Sequence, residues 1–230
     1  MIRAVIFDVG GPLDTEVAFE AAIDADIRAA LAGEGYAVDD AAYAEAERWA
    51  VDQFAPSLYR AVIWRLTSGD AEMSQRIYDS MEASAGNRDL FELRDGIGDV
   101  LEALKRRGLK LGLAANQPAK VLLMLDEHGI GRYFENQGVS GVYGYRKPDV
   151  RLFLRACEDL SVEPAESVMV GDRVDNDVVP ARILGMRTVL LRTGRHIAQQ
   201  PRSWDERPDV EVHSTGELLP AILSLVDGAP

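Results

Sequence analysis

The chain has 230 residues, 47% of them hydrophobic and 27% charged, enough for one large domain or one domain carrying an insert. Its formal net charge of −13 argues against nucleic acid and anionic membrane surfaces as partners, since both call for a basic face. A single cysteine, Cys157, excludes an intrachain disulfide and a cysteine-rich metal site. No stretch approaches a membrane span. The N-terminal apolar run, broken by Arg3 and stopped by Asp8, is too short for a signal peptide, so the cytoplasm is the expected compartment.

Ala4-Val5-Ile6-Phe7 reads as a short buried strand of a parallel sheet, and it ends abruptly at Asp8 before the turn Val9 to Leu13. Residues 15–90 are rich in Ala and Glu and read as almost entirely helical. From residue 91 the character changes. Ile97, Val100, Leu101 and Leu104 fall on one helical face, and Gly108 follows the Arg106-Arg107 end. Lys110 to Ala115 is the next strand. Asn116 is then placed to cap a helix, with Pro118 near its first turn, that runs to His128-Gly129. Val142-Tyr143 reads as a weaker strand, and Asp149 opens a helix to about Leu160. Ser167 to Val170 is a strong strand ending at Gly171-Asp172, followed by a helix from Val178 to Leu184. Thr188 to Leu191 and Val210 to Val212 are strands, Arg195 to Pro208 a polar surface connection, and Gly216 to Val226 the last helix.

Strands alternating with helices imply α/β architecture with a parallel sheet. The helical block interrupts this alternation directly after the first strand. The expected fold is a Rossmann-like core of residues 1–14 and 91–230 with an inserted all-helical cap of residues 15–90.

In such sheets ligands bind beyond the carboxyl ends of the strands. Asp8, Ala115-Asn116, Lys147 and the pair Asp172 and Asp177 all stand at or near such ends. Carboxylates gathered there need positive charge to stay ionised together. Lys147 supplies one charge and a hard ion such as Mg²⁺ the rest. A nucleophile, a charge clamp and a Lewis acid around one pocket suit phosphoryl transfer.

These four segments resemble the motifs of the haloacid dehalogenase-like hydrolase superfamily, in its phosphatase-type branch with a helical cap of the first class. Asp8 to Pro12 aligns with the first motif, Ala115-Asn116 with the second, Lys147-Pro148-Asp149 with the third, and Asp172 with Asp177 with the fourth. The resemblance implies that Asp8 attacks phosphorus and forms an aspartyl-phosphate, with Lys147 pairing to it and to the phosphoryl oxygens. It implies a Mg²⁺ site of Asp8, the backbone carbonyl of Gly10, Asp172 and Asp177. The implied phosphate site comprises Gly11, Ala115, Asn116 and Lys147, with backbone N–H groups of Gly11 and Asn116 as donors. The implied partner is a small phosphorylated metabolite, and the chain is expected as monomer or homodimer.

Three departures matter. Gly10 stands where the family has its second aspartate, the usual general acid and base. Pro12 replaces a threonine, and Ala115 replaces the second-motif hydroxyl. The nucleophile and clamp are retained and the proton machinery is lost. Weak phosphatase activity is therefore expected, with a catalytically silent relative that binds a phosphorylated ligand or a protein partner as the alternative. A dehalogenase is disfavoured by the retained Asp172 and Asp177, and phosphonate chemistry by the lack of any lysine between Thr15 and Leu90. Asp14 is a conceivable substitute acid, though a hinge or cap role suits it better. The cap aromatics Trp49, Phe54, Tyr59 and Trp64, at helical spacing, read mostly as core, and Arg60 and Arg65 as solvated surface.

Overall fold

A computed structural model describes residues 1–85, 88 and 90–228. Three residues of the expected helical stretch, 86, 87 and 89, and the last two of the chain lie outside the described residues. In chain order the elements are β1 (Ala4–Phe7), α1 (Val17–Gly33), α2 (Asp40–Asp52), α3 (Leu58–Leu66), α4 (Ala71–Ala85), α5 (Ile97–Arg106), β2 (Lys110–Leu113), α6 (Val121–Glu127), α7 (Ser140–Tyr143), α8 (Val150–Leu160), β3 (Ser167–Gly171), α9 (Val179–Ile183), β4 (Arg187–Leu191), β5 (Val210–Val212) and α10 (Thr215–Val226). The chain divides into two compact units, one of Met1–Thr15 with Glu92–Pro230, the other of Glu16–Phe91. No helix among the described residues is long and apolar enough to cross a membrane.

The first unit holds a five-stranded sheet in the order β2-β1-β3-β4-β5, every pair parallel. This is the α/β, Rossmann-like fold that the alternation implies, with α1 to α4 inserted between β1 and β2. Strand β1 is apolar throughout because both its faces are covered. Ala4 and Ile6 point to the face packed by Leu152, Phe153 and Ala156 of α8 and by Ala181 of α9. Helix α5 packs with α10 and β2, and its Ile97, Val100, Leu101 and Leu104 are buried as their spacing dictates.

Strand β1 lies between β2 and β3, so the chain leaves it to one side and later returns on the other. That reversal is a topological switch point, the place where open α/β sheets leave a crevice. Phe7 is level with both Leu113 and Val170. The residues that follow β1, β2 and β3 therefore emerge together at one edge.

The second unit is all helical. Ile23, Ile27 and Leu31 of α1, Tyr43 and Ala50 of α2, Val62 and Ile63 of α3, and Ile77 and Met81 of α4 form its core. Trp49, Tyr59 and Leu66 pack partly buried against it, whereas Trp64 is 44% exposed. The Arg60 guanidinium lies 3.6 Å over the Tyr78 ring, and Arg65 pairs with Glu45 at 3.4 Å.

Three local readings are corrected. Val142-Tyr143 is not a strand but the end of the single helical turn α7. The Tyr143 N–H donates to the Val139 carbonyl, and Gly144 closes the turn at φ +75°. The strand-like pairing falls at Val139 instead, which bridges Ala115. Asn116 does not cap a helix, because α6 begins at Val121 and the Asn116 side chain is engaged elsewhere. The segment after β4 is not wholly surface. Gln199 is buried, since its amide answers backbone and side-chain groups of the loop after β3.

Candidate active site

Asp8 is carried one residue past β1 by the sheet itself: its N–H donates to the Val170 carbonyl at 2.8 Å. The turn beyond it folds back on Val9, whose carbonyl accepts the N–H groups of both Leu13 and Asp14. This fixes the Asp8 carboxylate, whose Oδ1 accepts the Val9 N–H at 2.7 Å and whose Oδ2 lies 2.6 Å from Lys147 Nζ.

Lys147 arrives on the loop between α7 and α8, and Asn116 holds that loop in place. The Lys147 N–H donates to Asn116 Oδ1 at 2.7 Å, while Asn116 Nδ2 donates to the Lys147 carbonyl at 3.1 Å. The chain leaving β2 thus clamps the lysine that β1 and β3 require. Lys147 Nζ also donates to Asp177 Oδ1 at 2.6 Å, and its side chain is 1% exposed.

Asp177 sits in a π-helical turn, Val174–Val178, at the end of β3. Its Oδ2 accepts the N–H groups of Asp172 at 3.2 Å and Arg173 at 3.0 Å. It backs directly on Gly171, where any Cβ would fall 2.3 Å from the Asp177 Cγ. Gly11, at φ +79°, lies against Asp172 in the same way, with a Cβ there 2.8 Å from the Asp172 Cβ and Cγ. Only glycine combines that backbone conformation with that contact.

The carboxylates of Asp8, Asp172 and Asp177 offer oxygens that all lie within 4.8 Å of one another, and all three residues are buried. Burial, the largest influence, pushes Asp8 up to about 6. The Lys147 charge opposes that rise and the Asp177 charge adds to it. Burial also pulls the Lys147 ammonium down, but the Asp177 and Asp8 charges outweigh it and its pKa is raised. The lysine therefore stays charged while Asp8 sits near its titration point. Lys147 meets two of the three carboxylates. The remaining negative charge and the all-oxygen donor set fit a hard divalent cation, which takes carboxylate oxygens and shares phosphate oxygens with substrate.

Of the sequence-derived positions, the structure brings Asp8, Lys147, Asp172, Asp177 and Gly11 together. Gly10 forms a bridge with Asp14 in the same turn. Ala115 is buried, its N–H donating to the Gly138 carbonyl at 2.9 Å, so its methyl lies in packing. Asn116 contributes through its grip on Lys147. Asp14 Oδ1 accepts the Glu92 N–H at 3.0 Å, which suits the hinge reading over the substitute acid.

Two supports went unread in the sequence. Arg94 donates from Nε to the Gly11 carbonyl at 2.5 Å and from Nη2 to Thr193 Oγ1 at 2.9 Å. Gln199 accepts the Val174 N–H at 2.7 Å and donates to Asp175 Oδ1 at 3.2 Å, tying the loop after β4 to the turn that carries Asp177. Neither lies in a spaced pattern. Their partners are 83 and 25 residues away, so only the fold reveals them.

Residues 2–185 match the haloacid dehalogenase-like hydrolase family. The chain belongs to that family. It is 36% identical over 131 residues to a glyceraldehyde 3-phosphate phosphatase of Methanopyrus kandleri, a match covering 55% of this chain and 54% of that protein. It is 32% identical over 157 residues to phosphoglycolate phosphatase 1 of Pseudomonas aeruginosa, covering 66% and 55%. The chain thus spans about half the length of these relatives. A crystal structure from Haemophilus somnus 129PT, described as a predicted phosphoglycolate phosphatase, superposes with a TM-score of 0.72 at 20% identity, over 96% of this chain and 97% of that one.

Proposed function

We propose that this chain is a Mg²⁺-dependent phosphatase of small phosphate esters or acyl phosphates, with Asp8 as nucleophile and with weak activity. The observation that carries the reading is the buried lysine bridging Asp8 and Asp177 at 2.6 Å each, beside Asp172. The descriptions of the two relatives, both phosphatases of small phosphorylated metabolites, point the same way. In this reading residues 1–14 and 91–230 form the catalytic core and residues 15–90 its cap.

An Asp8 carboxylate oxygen attacks phosphorus, while the Val9 N–H and Lys147 hold the carboxylate in place. Lys147, fully charged, stabilises negative charge developing on the phosphoryl oxygens. Asp8, Asp172, Asp177 and the carbonyl of Gly10 would hold Mg²⁺, which supplies charge neutralisation at those oxygens when bound. The backbone N–H groups of Gly11 and Asn116 would serve the phosphate position, whereas both backbone groups of Ala115 are taken by Gly138 and Ser140. Arg94 and Gln199 keep the two loops in register.

Gly10 supplies no proton to a departing alkoxide. Loss of such help lowers rates by about 10²–10⁴, or roughly 3–5 kcal/mol of barrier. The missing hydroxyl at Ala115 removes a further charge-assisted donor, about 1.5–3 kcal/mol. Substrates whose leaving groups are stable anions escape the larger of these penalties in the first step, transfer of the phosphoryl group to Asp8.

The test is phosphate release, with Mg²⁺, from acyl, aryl and alkyl phosphates by the natural chain and by Gly10→Asp. The natural chain should rank acyl and aryl well above alkyl phosphates, and Gly10→Asp should narrow that gap. A natural chain inert on all three, with turnover only in Gly10→Asp, would replace the enzyme reading by the silent-relative one.

A further inference from the structure

We propose that Asp8 retains the phosphoryl group it accepts, so that with acyl phosphate donors the chain accumulates as its Asp8 aspartyl-phosphate. This rests on the phosphatase reading and concerns the second half of its cycle.

In the first half, an Asp8 oxygen forms a bond to phosphorus and the bond from phosphorus to the acyl oxygen breaks. The electron pair leaves with the carboxylate. That leaving group is stable as an anion and takes no proton from the protein. In the second half, water forms the new bond to phosphorus. The Asp8 oxygen–phosphorus bond breaks, its electron pair returns to the Asp8 carboxylate, and one proton of the water needs an acceptor.

Among the described residues of the sheet-bearing unit, the groups gathered around this edge are poor acceptors. Gly10 has no side chain and Ala115 only a methyl. Asp177 commits Oδ1 to Lys147 at 2.6 Å and Oδ2 to the N–H groups of Asp172 and Arg173 at 3.2 and 3.0 Å. Asp14 Oδ1 accepts the Glu92 N–H, and the Arg94 charge acts on both Asp14 and Asp172. Arg173 also acts on Asp172. These carboxylates are engaged by donors or face neighbouring guanidinium groups, so none stands as an open acceptor for a proton of the attacking water. Lys147 is a charged donor with no acceptor site. His196, on the loop beyond β4, is held at about 3 by burial and by the Arg173 charge, which makes it a weak base too.

Formation of the phosphoenzyme thus asks for no proton transfer, whereas its breakdown asks for one and meets no competent base among the described groups at this edge of the sheet-bearing unit. The missing base slows breakdown by about 10²–10⁴. Phosphorylation leaves a lasting dianionic group where a single carboxylate stood.

The experiment mixes the protein with acetyl phosphate and Mg²⁺, quenches in acid and measures intact mass, with released phosphate followed in parallel. The expected result is a fraction of chains heavier by one phosphoryl group, about 80 Da. That fraction should be absent in Asp8→Asn and, after removal of donor, should decay about 10²-fold faster or more in Gly10→Asp. Steady phosphate release without a mass adduct would overturn the inference and leave the phosphatase reading standing. An adduct that persists in Asp8→Asn would place the phosphoryl group elsewhere and overturn it. Neither adduct nor phosphate would remove the phosphatase reading itself, and this inference with it.

Discussion

Replacing Lys147 by methionine keeps most of the side-chain volume and removes the charge. It leaves Asp8 and Asp177, each 2.6 Å from the lost ammonium, facing one another in a buried site. At an effective dielectric near 20, each contact carries a gross attraction of about 6 kcal/mol. Desolvation offsets much of that, so the net cost of stripping one partner from such a cluster is about 3–5 kcal/mol. For a protein of this size that corresponds to a fall in Tm of roughly 6–20 °C. The assay is urea denaturation of the Mg²⁺-free protein at pH 7.5 and pH 5. The gap between natural chain and Lys147→Met should shrink at pH 5, because Asp8, already raised to about 6 by burial against the Lys147 charge, rises further without that charge and becomes neutral there. Added Mg²⁺ should recover part of the loss at pH 7.5. A variant within about 1 kcal/mol of the natural chain at pH 7.5, or a gap that does not shrink at pH 5, would refute the reasoning.

Asp8→Asn should stabilise the Mg²⁺-free fold at pH 7.5. With the folded pKa near 6 against 3.8 as the ordinary value, Asp8 loses its proton later in the folded state, so its cost to folding grows as pH rises from 3.8 to 6 and is complete above that. The gain is about 1–3 kcal/mol at pH 7.5 and vanishes near pH 4; a less stable variant at pH 7.5 in urea titrations contradicts this. His196, lowered from 6.5 to about 3 first by burial and then by the Arg173 charge, has the opposite dependence. Its contribution is whole above pH 6.5 and is lost as pH falls, by about 2–3 kcal/mol between pH 6.5 and 4.5. A His196→Gln variant should flatten that part of the stability profile, and an unchanged slope would refute it. Gly11→Ala, strained at φ +79° and driven into Asp172, should cost about 1–3 kcal/mol and weaken Mg²⁺ binding in a calorimetric titration. Unaltered binding would show that Asp172 has no part in it.

The core of the fold was legible because it is written in local patterns. A four-residue apolar run suits a strand covered on both faces, as in a parallel sheet flanked by helices, and the helical face of α5 recurs at its proper spacing. The convergence of Asp8 and Asp172 followed from the rule that parallel strands end together, whereas Lys147 follows no strand, because the segment before it is a helical turn, and reaches the site through the grip of Asn116 on its loop. What escaped is settled by distant partners. Asn116 carries a helix-capping side chain, yet Lys147, 31 residues on, offers both a donor and an acceptor, and the two-bond exchange wins. Val142-Tyr143 has strand-forming residues, but Gly144 ends the segment in a conformation that closes a helical turn. The polar loop after β4 looks solvated until Val174 and Asp175 are seen to need Gln199. Arg94 stands outside every motif, and only the turn it braces explains it.

The central claim is that Asp8 is a working nucleophile although position 10 carries a glycine in place of an acid. It is tested most directly by the rate of phosphate release from acetyl phosphate, with Mg²⁺, in the natural chain and Asp8→Asn measured together. Slow but measurable release by the natural chain, and none above background by Asp8→Asn, is the predicted result. Equal release by the two, or none by either, would contradict it.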